Sequence, residues 1–286
     1  MKTLPECIPC YLKAVISALR CAGVDEDKIN ETLYNVLDLI PKLDTRTSPG
    51  ENTAIIFQKA CELLGNRDPY YEEKKKLNEF ALSQYKNLEK IVDSSRDRLM
   101  TAFKISVSGN IMDMGISPDF DIDLALREIT GKDFDHSDYG KFLELLERAK
   151  LVLIIGDNSG EIVFDKILVT ELMKRGIEVV YSVRQGPVLN DATIEDAEQA
   201  GMTGLCRVIE GVSQFLAVNE ESCSPEFLTV FRKADIVIAK GQANFESMDN
   251  GSLAGDKTFY VLRAKCPAVA RNLGVELGNI VLKKHG

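Results

Sequence analysis

The six residues Leu151-Val152-Leu153-Ile154-Ile155-Gly156 constrain the fold more than any other stretch. Five consecutive aliphatic side chains leave no polar face, so both sides of the segment must be buried. The run has the length of a strand, and a glycine ends it. A short continuous apolar run of this kind suits a parallel sheet covered by helices on both faces. Further strand-like segments follow at Ile177 to Val183, Arg207 to Glu210, Asp235 to Ala239, Phe259 to Arg263 and Asn279 to Leu282. Their starts lie roughly 20–30 residues apart, room for a crossover helix between each pair. Helical stretches such as Ile162 to Arg175 and Pro225 to Lys233 fill the gaps. Residues 151–286 are therefore expected to form an α/β domain on a Rossmann-like, mostly parallel sheet flanked by helices.

Residues 1–150 read differently. Tyr11, Val15, Ala18 and Leu19 recur at helical spacing, and Gly23 suits the position just past a helix end. Asp25 can cap a second helix that Pro41 stops. Ser48-Pro49 and Asp68-Pro69 each place a capping side chain before a proline, the usual opening of a helix. One more helix is expected from Ser94 toward Gly109, and a last one, capped by Ser137, carries Phe142, Leu143 and Leu146. With strand-like alternation scarce, this half predicts an all-helical N-terminal domain.

Charge and composition narrow the function. The net charge of −9 over 286 residues is shared by both halves, and neither half is a basic patch. Nucleic acid is not an expected partner, because phosphate backbones need clustered Lys and Arg. No apolar run approaches the ~18 residues of a membrane span. Pro5, Glu6, Pro9 and Lys13 break the N-terminus as a signal peptide, so a cytoplasmic protein is expected. Seven cysteines, five of them scattered, do not make a secreted disulfide framework. With only two histidines, any catalytic metal must rest mainly on oxygen ligands. Nothing in the sequence speaks to oligomeric state.

In an open parallel sheet, ligands bind beyond the carboxyl ends of the strands. The first strand runs into Gly156-Asp157-Asn158-Ser159-Gly160-Glu161, a turn at a helix start whose free N–H groups suit an anion. Its glycine spacing is not the dinucleotide fingerprint, and Asp157 would repel a pyrophosphate unless a cation lay between them. A plain helix cap is the alternative reading. The second strand leads to Asn190-Asp191-Ala192-Thr193, and the fourth to Lys240-Gly241-Gln242-Ala243-Asn244-Phe245-Glu246. Together these ends place hard oxygen ligands and one ammonium group on a single rim, a combination that suits a divalent ion and a phosphate.

These three segments resemble the metal-dependent damage-control phosphatases, long catalogued as domain of unknown function 89. Cys7-Ile8-Pro9-Cys10 and Gly109-Asn110-Ile111-Met112-Asp113-Met114-Gly115 resemble the family's shorter microbial branch, which carries an N-terminal Cys-x-x-Cys. The likeness covers nearly the whole chain, in order. It implies a helical domain packed on a Rossmann-like one, and hydrolysis of small phosphorylated metabolites, sugar phosphates or related damaged metabolites, with a divalent ion (Mn, Co, Ni or Mg). It implies Asp157, Asn158 and Asp191 as metal ligands and Lys240 as the phosphate-binding lysine.

The expected mechanism has Lys240 and the N–H groups after Asn158 steadying the phosphate oxygens, with Glu161 as base or support. The missing Asp-x-Asp motif favours attack by water over Asp157 as a nucleophile. Ser159, Gly160 and Asn244 complete the expected phosphate contacts, and Asn110 and Asp113 are rim candidates. Cys7 and Cys10 stay open among half a metal site, free thiols and a redox pair. Two other functions compete for the same pattern. A non-catalytic module for a phosphorylated ligand would use the same residues. An S-adenosylmethionine-dependent methyltransferase would want a glycine-rich first turn and an acidic second strand end, where this chain has Asp157 and Arg184.

Overall fold

The computed structural model describes residues 1–109, 131, 133–249, 251 and 253–286. Local chemistry sets most helix starts in the first part. Helix α1 (Cys7–Cys21) leads to α2 (Glu26–Leu37), whose first turn is closed by the Asp25 carboxylate accepting from the Lys28 N–H. Helix α3 (Pro49–Leu64) opens with a full capping box between Ser48 and Glu51. Helix α4 (Tyr71–Ser94) stops where α5 (Arg98–Ser108) begins, because Asp97 caps α5 by accepting from the Met100 N–H. The helix expected from Ser94 thus starts four residues later.

Next come β1 (His136–Ser137) and α6 (Tyr139–Leu146). The alternating part follows: β2 (Leu151–Ile155), α7 (Glu161–Met173), β3 (Glu178–Arg184), α8 (Ile194–Gln199), β4 (Arg207–Val212), α9 (Pro225–Lys233) and β5 (Ile236–Lys240). It closes with α10 (Gly241–Met248), β6 (Thr258–Arg263), α11 (Pro267–Leu273) and β7 (Ile280–Lys284). The strands form one seven-stranded sheet in the order β1-β7-β6-β5-β2-β3-β4. Every pairing is parallel except β6 with β7. The mostly parallel α/β sheet with a helical N-terminal region is as expected. The short β1 and the antiparallel course of β7 are not visible in the sequence pattern.

Alternation along the strands divides the core between two faces. Val152 and Ile154 of β2 and Ile236 and Ile238 of β5 pack beneath α4, α5 and α7. Leu153, Ile155, Val237 and Ala239 face α9, α10 and α11. The first core also includes Leu77, Ala81, Phe103 and Phe142, so apolar packing runs unbroken across residue 150. A separate cluster ties α1, α2 and α3 together through Tyr11, Val15, Ile29 and Ile56.

Topology then locates the site. From β2 the chain moves to β3 and β4 on one side, and β5 returns to pair with β2 on the other. The order reverses between β2 and β5, and ligands of open α/β sheets bind in the crevice at that reversal.

Candidate active site

Two loops meet at this reversal. The segment after β2 and the segment before α8 are zipped by backbone hydrogen bonds. Ala192 donates to the Asp157 carbonyl at 2.8 Å, Ser159 donates to the Asn190 carbonyl at 2.9 Å, and Asn158 and Asp191 form an isolated bridge. This zipper brings Asp157, Asn158 and Asp191 together. Arg184, at the end of β3 and fully buried, donates from Nε to Asp191 Oδ2 at 2.6 Å and fixes that carboxylate. Asn158 Nδ2 donates to Asp157 Oδ2 at 3.1 Å.

Gly241 makes room for Asp157. Its φ is +76°, and a Cβ at this position would lie 2.0 Å from Asp157 Oδ2. Only glycine both adopts this backbone angle and leaves the carboxylate its cradle. Burial pushes the Asp157 carboxyl well above the usual range, and the charges of Asp191 and Glu161 push further, against the pull of Lys265 and Arg184.

This geometry fits a divalent cation. Two carboxylates and an amide are hard oxygen donors, and a cation would offset the mutual repulsion of the two acids. Among the described residues no group of three or more His, Cys, Asp or Glu is placed to hold a metal ion, so the Asn158 amide is the third member of this set.

Above the pair opens a pocket of about 300 Å³. Asp157, Asn158 and Asp191 line it, with Gln242 and Glu246 of α10 on one wall and Lys265 and Cys266 beyond β6 on another. A larger cavity of about 630 Å³ lies between α3 and the loop after β3, but it contains none of these acids. Chemistry rather than size selects the smaller one.

Several expected residues sit elsewhere. Lys240 follows strand alternation onto the Ile236 and Ile238 face, under α5 and α7, and does not line the pocket. Its ammonium donates to Glu161 Oε1 at 2.5 Å, to Asp165 Oδ1 at 2.6 Å and to the Ser106 carbonyl at 3.1 Å. Burial alone would lower this lysine, but Asp165 and Glu161 outweigh it and push it up. All three N–H donors are spent, which corrects the expectation that Lys240 holds a phosphate. Glu161 belongs to the same buried group, and burial, only partly countered by Lys240, pushes its carboxyl up to about 7. Asp165 also accepts from Ser106 Oγ and from the Tyr181 hydroxyl.

The amides after Asn158 are likewise engaged. Ser159 N–H is taken by Asn190, and Gly160 N–H by Asn78 Oδ1 at 2.6 Å. Asn244 donates to the Gly156 and Lys240 carbonyls and accepts from Arg184 Nη2, so it braces the loop instead of facing a ligand. Asn110 and Asp113 lie outside the described residues.

The structure adds Lys265. It stands past the carboxyl end of β6 and is the lysine lining the pocket, where it acts on Asp157. The signal was available, since Phe259 to Arg263 reads as a strand and the edge rule applies to its end too. Cys7, Cys10 and Cys266 also line this pocket. All seven cysteines are free thiols, and the metal-site reading of Cys7 and Cys10 finds no ligand set among the described residues.

Fold and site together define a Rossmann-like α/β protein with an acidic, oxygen-donor pocket at the strand-order reversal. The chain belongs to the family of the damage-control phosphatase ARMT1-like domain, which matches residues 3–281. It is 32% identical to the damage-control phosphatase PH1575 of Pyrococcus horikoshii, over 100% of this chain and 99% of that protein. It is 30% identical to a damage-control phosphatase of Archaeoglobus fulgidus, over 99% of each. A crystal structure of the DUF89 family protein from Pyrococcus horikoshii superposes with a TM-score of 0.91 at 31% identity, covering 100% of both chains.

Proposed function

We propose that this protein is a divalent-metal-dependent phosphomonoesterase acting on small phosphorylated metabolites, with Asp157, Asn158 and Asp191 as the ion's ligands. Membership of a family whose relatives are named damage-control phosphatases supports the phosphatase activity. The observation that carries the assignment of residues is the convergence of Asp157 and Asp191 at the base of a pocket that Lys265 faces. The bound ion (Mn²⁺, Co²⁺, Ni²⁺ or Mg²⁺) supplies charge stabilisation at the phosphate and a water more easily deprotonated.

The chain's own residues do the rest. Arg184 orients Asp191, and Gly241 leaves Asp157 its position. Lys265 presents an ammonium to the phosphate oxygens as their charge develops. Lys240 pairs with both Glu161 and Asp165 beneath the site and ties β5 to α7. The pocket's volume suits a compact phosphoester.

Phosphate release from small phosphomonoesters, with each metal and with chelator, tests the proposal. Metal-dependent release is expected. Binding without turnover would make the protein a phospho-ligand module, and release that survives chelation would remove the metal.

A further inference from the structure

One buried carboxyl group in the pocket has no part in the phosphate end. Glu246 lies on α10, five residues beyond Gly241. At 1.5 Å of rise per residue it stands about 7–8 Å along the helix from the Asp157 cradle. It is 5% exposed and lines the pocket.

Three segments hold it in place. Gln242 donates from Nε2 to Glu246 Oε1 at 2.8 Å, and its own Oε1 accepts from the Lys265 main-chain N–H at 3.2 Å. The same Gln242 Nε2 lies 3.6 Å from Cys266 Sγ. The Gly50 N–H, in the first turn of α3, also donates to the Glu246 carboxyl. Ala243 and Leu216 pack against Gly50 beside it. The carboxyl is therefore pinned between α3, α10 and the loop after β6. A carboxylate offers about four acceptor positions, and these two donors take two of them.

We propose that Glu246 reads the end of the substrate remote from the phosphate, sharing a hydrogen bond with a neutral hydroxyl group. This rests on the phosphatase reading and extends it to the selection of substrate. Glu246 shares the pocket with Asp157 and lies about 7–8 Å of helix rise beyond Gly241, a placement that suits a phosphoester with a hydroxyl a few carbons away. Burial holds the Glu246 pKa up to about 7, so near neutrality the group both accepts and donates.

The test compares two esters on the metal-loaded full chain: glycerol phosphate and para-nitrophenyl phosphate, which has no hydroxyl. For Glu246→Ala, the ratio of kcat/KM for glycerol phosphate over para-nitrophenyl phosphate should fall about tenfold, mainly through KM, the scale of one lost hydrogen bond. Glu246→Gln keeps an acceptor and loses the charge. It should retain most of that ratio. Equal losses on both monoesters, or no change, would overturn the proposal and make Glu246 a brace between α3 and α10. Calorimetric binding of glycerol phosphate separates this from the phosphatase reading. Binding about tenfold weaker in Glu246→Ala supports the subsite even if no phosphate is released, and unchanged binding sinks it.

Discussion

Replacing Gly241 with alanine tests the site through a single methyl group. The new Cβ would stand 2.0 Å from Asp157 Oδ2, 2.2 Å from its Cγ and 2.6 Å from its Oδ1. The three atoms are those of the carboxylate itself, so no flexible neighbour can yield in its place. Van der Waals contact begins near 3.5 Å, so the carboxylate must retreat by about 1 Å or more. A displacement of that size in a reacting constellation costs about 10²-fold in rate. The backbone adds about 1–2 kcal/mol, because Gly241 has φ +76° and alanine resists the left-handed region. Gly140 in α6 is the control, since its Cβ would meet nothing within 4 Å. Gly140→Ala should leave turnover alone and hold or raise the melting temperature. Steady-state phosphate release, metal titration and thermal melts of both variants decide the matter. Wild-type turnover in Gly241→Ala would show that the Asp157 carboxylate does not need its present position, and the assigned site would fall.

Lys240→Met should cost about 3–5 kcal/mol in denaturant melts, because Glu161 and Asp165 would lose a buried cation. Lys265→Met should instead keep the fold and lose about 10²–10³-fold in turnover; the opposite pattern would return Lys240 to the phosphate. Asp157→Asn should bind metal far more weakly by calorimetry, yet raise the melting temperature without metal, because it removes a carboxylate that burial and Asp191 oppose. The Glu246 carboxyl is raised from 4.5 to about 7, so the folded state holds its proton after the unfolded chain has released it. Stability from this group is therefore present below pH 4.5 and lost as pH rises to about 7. Glu246→Gln should gain on wild type in melts above that window and not below it; equal differences at both ends would contradict the sign.

How much was legible depended on how local each cause is. Asp25 and Ser48 cap their helices through neighbours three residues away, and β2 announces itself by five aliphatic residues. The pairing of Asp157 with Asp191 was legible because the parallel topology brings strand ends to one edge. The position of Lys240 was legible in principle, since alternation from Ile236 and Ile238 places it on the α5 and α7 face; proximity to the carboxyl edge obscured this. What occupies the amides of Ser159 and Gly160 was not legible. Asn78 reaches Gly160 from α4, 82 positions away, and such partners exist only once α4 has docked on α7. The two-residue β1 and the antiparallel β7 likewise depend on tertiary pairing, not on a pattern of their own. Cys7, Cys10 and Cys266 line one pocket for the same reason.

In the proposed mechanism Asp157, Asn158 and Asp191 hold one divalent ion on which phosphate release depends. Manganese titrated into metal-stripped wild type and Asp191→Asn, with phosphate release from glycerol phosphate as readout, tests it most directly. Activity should rise from none and saturate in the wild type. The variant should need far more metal to reach a much lower plateau. Release from the stripped wild type, or the same manganese dependence in both proteins, would contradict it.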